Sequence, residues 1–188
     1  MSEPTNSILK APISKTRLEF LYDGIFAIAM TILVLELKIP ELVERQSAAE
    51  LLQNLVHHAS AFGSWLLSIV VLGVFWFRHQ HLYRCLHRIT RASLAIHLWL
   101  MATAAFFPFC AALIGRYPRN RVALLAYMGC AWLHVAALTT LWIVAQRQGT
   151  LDPELDPAEV TRVRNRQLKR TGALFTLCVI YFLFWPSH

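Results

Sequence analysis

Apolar residues run through this chain in long stretches that are separated by polar segments. Four of the stretches contain no Asp, Glu, Lys or Arg, namely residues 51–77, 92–115, 122–146 and 171–188. A helix needs roughly 20 apolar residues to cross the hydrocarbon core of a bilayer, so each stretch predicts a membrane span. Because the stretches are continuous and do not alternate between polar and apolar residues, they favour helices over a transmembrane β-barrel.

The first apolar stretch of the chain is different, because charged residues stand at both of its ends. Arg17, Glu19 and Asp23 precede an uncharged centre at 24–35, and Glu36 follows that centre. Charged side chains inside a membrane are costly and usually have a function, so this stretch predicts a fifth span built for more than contact with lipid. We therefore predict an all-α membrane helix bundle that forms one transmembrane domain, with spans at about residues 18–39, 58–78, 92–115, 121–146 and 170–186.

Composition and charge add a class and an orientation. Of the 188 residues, 56% are hydrophobic and 15% are charged, which is too apolar for a soluble domain of this size. With the N-terminus in the cytoplasm, 13 of the 18 Lys and Arg residues fall on the inner side. We predict a multi-pass protein of the cell membrane with a cytoplasmic N-terminus. The net charge of +7 is explained by a basic inner face beside anionic lipid, so no nucleic-acid partner is predicted.

One face of the first span carries branched side chains. Ile28, Ile32 and Leu35 follow the i, i+4, i+7 spacing of a single helical face, and Thr31 lies beside them. In a helix bundle such a stripe is explained by ordinary packing as readily as by a function. The spacing alone leaves both interpretations open.

Three separated motifs follow one another along the first three spans. The first begins at Arg17, continues through Asp23-Gly24 and an Ala-Ile run, and ends at Glu36-Leu37. The second is the aromatic and histidine segment from Phe75 to His81, and the third combines Phe107-Pro108-Phe109 with Leu113-Ile114-Gly115. In this order the motifs resemble those of the transmembrane-protein-175 potassium channels of prokaryotes. That family opens its first helix with an Arg, three residues and Phe-Ser-Asp-Gly.

The chain departs from the family pattern in two respects. Leu21-Tyr22 stands where the family has Phe-Ser, so a hydrogen bond made by that serine has to come from the tyrosine hydroxyl or be lost. The family has six membrane helices in each subunit, whereas this chain supplies five spans. We expect the sixth helix to be absent or to lie beyond this sequence.

The resemblance implies a homotetramer in a lipid bilayer, with four copies of helix one around a central ion path. By position, Ile28 would form the narrowest hydrophobic ring, Ile32 and Leu35 further rings towards the outside, and Thr31 a ring of hydroxyls. It implies a passive cation channel that prefers potassium and lacks the carbonyl-lined selectivity loop of the usual potassium channels. Because aliphatic rings offer no ligands that replace a hydration shell, we expect only a weak preference for potassium over sodium.

A second group of residues is predicted to brace helix one from the inner side. Arg17 and Asp23 are six residues apart, and we expect them to pair directly or through a neighbouring subunit. The resemblance adds Trp76 and His79 of helix two to this inner polar brace. His79 or His81 would also lend pH sensitivity in the range where imidazole titrates. Each residue also has an ordinary interpretation, as a membrane anchor, a helix-end charge or a simple hydrogen-bonding group.

Two other functions stay open at this point. A proton-coupled secondary transporter would place Asp23 or Glu36 on its path, and a non-conducting structural membrane subunit would need neither residue. No nucleophile with an oriented base is evident, so an enzyme is not predicted. His79 and His81 would point about 200° apart on a helix and have no third ligand, so we predict no bound metal and no cofactor, and potassium only as the permeating ion.

Overall fold

The computed structural model describes residues 14–38 and 47–184, with side chains up to residue 180. Its described part consists of α-helices without β-strands, which confirms the predicted all-α class. Ile39, the last residue of the first predicted span, and residues 185–186 of the fifth lie outside the described residues. The helices are α1 (Lys15–Leu35), α2 (Ala48–His57), α3 (Ala59–Arg84), α4 (Arg91–Arg116), α5 (Arg121–Arg147) and α6 (Pro157–Phe184).

Short polar side chains begin four of these helices. The residues just before α1, α2, α4 and α5 each accept hydrogen bonds from backbone N–H groups of the first turn, which the helix itself cannot satisfy. At α4 the arrangement is reciprocal, because the Ser93 hydroxyl also accepts from the backbone N–H of Thr90. Such a cap contributes about 1 kcal/mol to helix stability. The four residues are Ser14, Ser47, Thr90 and Asn120.

Four helices, α1, α3, α4 and α5, are long and apolar enough to cross a membrane. They coincide with the first four predicted spans. A separate short helix, α2, precedes the second of these spans. The predicted span at 170–186 begins inside the longer helix α6, which starts at Pro157. Its apolar second half stays a predicted fifth span.

The centre of the bundle lies between α4 and α5. In each of these two helices, half of the residues in an apolar 18-residue segment are buried. The corresponding share is 28% in α1 and 17% in α3. The helix α1 packs on α3 and α4, and α6 packs on α5. Large parts of α1 and α3 are therefore free to contact lipid or another chain.

The helices α3 and α4 approach each other most closely near the end of α4. A side chain in place of Gly115 would lie 3.3 Å from Ala61 Cα and from Ser64 Cβ. The hydroxyls of Ser60 and Ser64 donate to the carbonyl oxygens of Gly115 and Ala111, at 3.1 and 2.7 Å. Small residues with hydroxyl groups are how helices join in lipid, where apolar contact alone gives little driving force.

At the other end of the bundle, the loops after α3 and α5 are joined. Leu86 and Leu151 form an isolated antiparallel bridge, which Gly149 permits by ending α5 at a φ of +60°. The Lys15 ammonium at the start of α1 donates to the carbonyl oxygen of Leu86 at 2.6 Å. The first turn of α1 is thereby fixed to both loops.

Candidate functional site: the two faces of the first helix

One face of α1 is buried in the bundle. Its residues recur every three or four positions, as expected for one side of a helix, and each is at most 6% exposed. The Phe26 ring stacks on Tyr22 at 4.7 Å between centroids and meets the His134 ring edge-on at 5.9 Å. This face holds α1 against α3, α4 and α5. It consists of Leu18, Tyr22, Phe26, Ala29 and Leu33.

A second face of α1 is bare in the single chain. Ile28 is 60% exposed, Ile32 40% and Leu35 74%, and Thr31 between them is exposed as well. At 100° per residue, this face lies about a third of a turn around the helix from the buried one. The four predicted pore residues therefore do share a face, and that face takes no part in the core of the subunit.

Thr31 adds a polar group to this bare face. Its hydroxyl donates to the carbonyl oxygen of Ile28 at 2.8 Å, which occupies the hydrogen and leaves the oxygen free to accept. The bare face therefore carries a free hydrogen-bond acceptor.

The Asp23 carboxylate fastens α1 to α3. Its Oδ1 accepts a hydrogen bond from the Trp76 indole N–H at 2.8 Å and one from the Gln80 amide at 2.7 Å. The structure thus brings together Asp23 and Trp76, two members of the predicted brace. Gln80 is a partner that the sequence analysis missed, although it lies one turn after Trp76 and so on the same side of α3.

Arg17 lies elsewhere. It is exposed, and the contacts of the described residues do not join it to Asp23. The reason is geometric, because six residues of α-helix turn through 600° and leave the two side chains about 120° apart. Pairing of Arg17 with Asp23 of a neighbouring subunit stays a prediction.

His79 is inside the bundle and not at the Asp23 carboxylate. It is fully buried, and its ring stacks face to face on Tyr22, with centroids 3.4 Å apart and planes 12° apart. The Tyr22 hydroxyl has no hydrogen-bond partner. The tyrosine therefore does not replace the family's serine as a hydrogen-bonding group, and it fills the space with an aromatic stack instead. The pH sensitivity expected of His79 stays a prediction.

Two further histidines are buried near His79. His97 meets the His79 ring edge-on at 5.3 Å, and its Nδ1 donates to the carbonyl oxygen of Ser93 at 2.7 Å. His134 Nδ1 lies 2.8 Å from the Thr103 hydroxyl. The sequence signal was a lone histidine within each of two apolar spans. Within the part of the chain that the structure describes, no three His, Cys, Asp or Glu side chains are placed to hold a metal ion.

Comparison with known families identifies this arrangement. The sequence model of the family described as "Endosomal/lysosomal potassium channel TMEM175" matches residues 17–108, which include α1, α3 and most of α4. All eight predicted site residues fall within that match.

Individual relatives agree with the family match. A potassium channel of Streptomyces collinus is 29% identical over 155 residues, which are 79% of this chain and 74% of that protein. The endosomal/lysosomal proton channel TMEM175 of Rattus norvegicus is 25% identical over 163 residues, 80% of this chain but 32% of the rat protein.

A solved structure extends the likeness to the fold. The crystal structure of a lysosomal potassium-selective channel TMEM175 homolog from Chamaesiphon minutus superposes with a TM-score of 0.76 at 25% identity, over 90% of this chain and 87% of that one. The chain is therefore a multi-pass membrane protein that is similar in sequence and in fold to the TMEM175 family of ion channels, and it is not an enzyme.

Proposed function

We propose that this protein is a homotetrameric cation channel that prefers potassium, with four copies of α1 around a central pore. The observation that carries the proposal is the bare face of α1. Ile28, Thr31, Ile32 and Leu35 are exposed together on a helix whose other face is firmly anchored. The bacterial relatives named as potassium channels support the choice of ion.

The constriction in this proposal is hydrophobic. Four Ile28 side chains at the axis would form the narrowest ring, with Ile32 and Leu35 as wider rings beyond it. Aliphatic rings resist wetting, so they conduct poorly when narrow and gate by small changes in width. They do not replace the water around an ion. Selectivity would therefore rest on the Thr31 hydroxyls and be weak.

The contact of Asp23 with Trp76 and Gln80 would set the rotation of α1. A helix that is held at only one face can rotate about its own axis. A rotation by the angle between two consecutive residues would move each side chain by 100°. The two hydrogen bonds to Asp23 lie on a third side of α1 and oppose such a turn. In this way the brace would keep Ile28 directed at the axis without touching the ion. Arg17 at the surface and His79 in the core would support the same inner end of α1.

The geometry gives less support to a proton-coupled transporter. Asp23 and Glu36 are thirteen residues apart on α1, or about 20 Å along the axis, which is too far for a proton to pass directly between them. The Asp23 carboxylate is also engaged by two donors from α3.

The test is ion flux in liposomes. The purified full chain is reconstituted with a potassium gradient, and flux is compared for potassium, sodium, caesium, protons and N-methyl-D-glucamine. We expect potassium flux to increase linearly with the driving force and to exceed sodium flux. We expect Ile28→Asn to raise flux about tenfold, which corresponds to a barrier to ion passage that is lower by about 1.4 kcal/mol. We expect Ile28→Trp to abolish flux.

A matched control keeps this test specific. Leu98 is also about half exposed but lies on α4, so Leu98→Asn should leave flux unchanged. Flux that saturates with concentration and disappears in Asp23→Asn would favour the transporter. Absence of flux in the unsubstituted chain would favour the structural subunit, and equal effects of Ile28→Asn and Leu98→Asn would remove Ile28 from the path.

A further inference from the structure

Two arginines come near each other between α3 and α6, without an acidic partner among the residues that the structure describes. Arg78 of α3 donates from its guanidinium to the side-chain oxygen of Gln167 on α6. Arg170 lies one turn after Gln167, on the same side of α6, and it repels Arg78 electrostatically. Among the described residues, the buried Nε of Arg78 has no hydrogen-bond partner. The half-buried Arg78 thus lies near the like charge of Arg170, which is exposed.

The chain has almost no carboxylate to neutralise this pair. Asp and Glu are absent from the whole sequence between Glu50 and Asp152, and again after Glu159. Asp23 does reach α3, but its partners Trp76 and Gln80 each lie two residues from Arg78. Two residues correspond to about 200° around a helix, so Arg78 points away from that carboxylate. No carboxylate of the described residues pairs with either arginine, so the pair can take a countercharge from outside the subunit.

The depth of the two arginines indicates what that countercharge is. Arg78 directly follows the uncharged stretch 51–77, and Arg170 directly precedes the uncharged stretch 171–188. Both therefore stand where their helices pass from apolar to polar, and the Arg78–Gln167 hydrogen bond puts the two junctions at one level. In a bilayer this is the level of the lipid phosphates. The argument rests on the predicted span in the second half of α6 and not on conduction.

We propose that Arg78 and Arg170 bind the phosphate of an anionic glycerophospholipid in the groove between α3 and α6. Guanidinium groups suit this ligand, because each can donate two hydrogen bonds to phosphate oxygens. Gln167 orients the Arg78 guanidinium, and the glycerol and acyl chains extend along the apolar second half of α6. Basic pockets between membrane helices are typical sites for anionic headgroups.

The binding test uses thermal unfolding of the purified full chain in a neutral detergent. Dioleoyl phosphatidylglycerol, dioleoyl phosphatidylcholine or inorganic phosphate is added in increasing amounts. Phosphatidylglycerol is expected to raise the unfolding midpoint, and the other two are not. In Arg78→Gln and in Arg170→Gln, the phosphatidylglycerol concentration that gives half of the shift in midpoint should rise about tenfold. A tenfold loss of affinity is expected when one charge-assisted hydrogen bond is removed.

Two further variants keep the result interpretable. Arg166→Gln removes an exposed arginine from the same helix, and its half-effect concentration should stay within about twofold of the unsubstituted chain. Arg78→Lys keeps the charge and should lose part of the affinity, which covers the case that Arg78→Gln does not fold. An equal loss in Arg166→Gln and Arg170→Gln would mean diffuse attraction and overturn the site. An equal effect of phosphatidylcholine, or of inorganic phosphate, would overturn the anionic lipid as its ligand.

Discussion

The two faces of α1 differ in what they contact. The face with Tyr22 and Phe26 is closed off by aromatic and histidine rings from α3 and α5. The face with Ile28 and Leu35 contacts little of its own subunit, although its side chains are as apolar as those of the buried face. Hydrophobicity alone does not separate the two faces, so a hydropathy profile cannot tell which one builds the subunit.

In the proposed channel, anchoring and conduction are therefore assigned to separate sides of one helix. Substitutions on the buried face should change how firmly the subunit is folded. Substitutions on the bare face should change ion flux and leave the fold intact.

Removal of a ring from the buried face should have the largest effect on stability. Phe26→Ala leaves a cavity beside Tyr22 and His134, and we expect a loss of about 2 kcal/mol in unfolding free energy. The figure is lower than in a soluble core because lipid replaces water around an unfolded apolar side chain. Unfolding in mixed micelles measures it. Ile28→Ala is the matched control on the bare face and should change the subunit's stability by about 0.5 kcal/mol or less. Equal losses in the two variants would show that the faces do not differ.

The brace between α1 and α3 should have an intermediate effect. Trp76→Phe removes one of the two donors to the Asp23 carboxylate, and we expect a loss of about 1.5 kcal/mol. A double-mutant cycle with Asp23→Ala isolates the pair, and its coupling energy should be about 1 kcal/mol. Trp99→Phe changes an exposed tryptophan of α4 and should be neutral. A coupling energy of zero would contradict the brace.

The smallest effect is expected from the hydroxyl on the bare face. Thr31→Val keeps the shape of the side chain and removes the oxygen that can accept a cation. We expect unchanged stability and a decrease of about twofold in the permeability of potassium relative to sodium, which corresponds to about 0.4 kcal/mol. Reversal potentials under mixed-ion conditions measure the ratio. Thr31→Ser should keep it, and an identical decrease in Thr31→Ser would exclude the hydroxyl as the cause.

Sequence reasoning was most successful where helical spacing is sufficient. The positions of α3, α4 and α5 follow from charge-free stretches, and the common face of Ile28, Ile32 and Leu35 follows from a period of 3.6 residues. Both features depend on one helix at a time, so they can be read before the packing is known.

Contacts between helices were only partly accessible. The contact of Trp76 with Asp23 was expected through the family resemblance, but Gln80 was missed. His79 was expected among the polar residues of the brace, and in the structure its contact with α1 is a ring stack on Tyr22. Which side chain meets which depends on how α1 and α3 are rotated against each other, and spacing along one helix does not fix that rotation. The fifth predicted span also did not show where its helix begins, because α6 continues from polar into apolar residues without a break.

The position of residue 28 in the assembled protein tests the central claim most directly. In Ile28→Cys, oxidation with copper phenanthroline should join neighbouring subunits into disulfide-linked dimers, because four copies of this residue would meet at the axis. Leu98→Cys on α4 and the unsubstituted chain with its four cysteines should give no such dimers. Ile28→Cys that stays monomeric while a lipid-soluble maleimide labels it would place the residue against acyl chains, and would contradict a pore formed by α1.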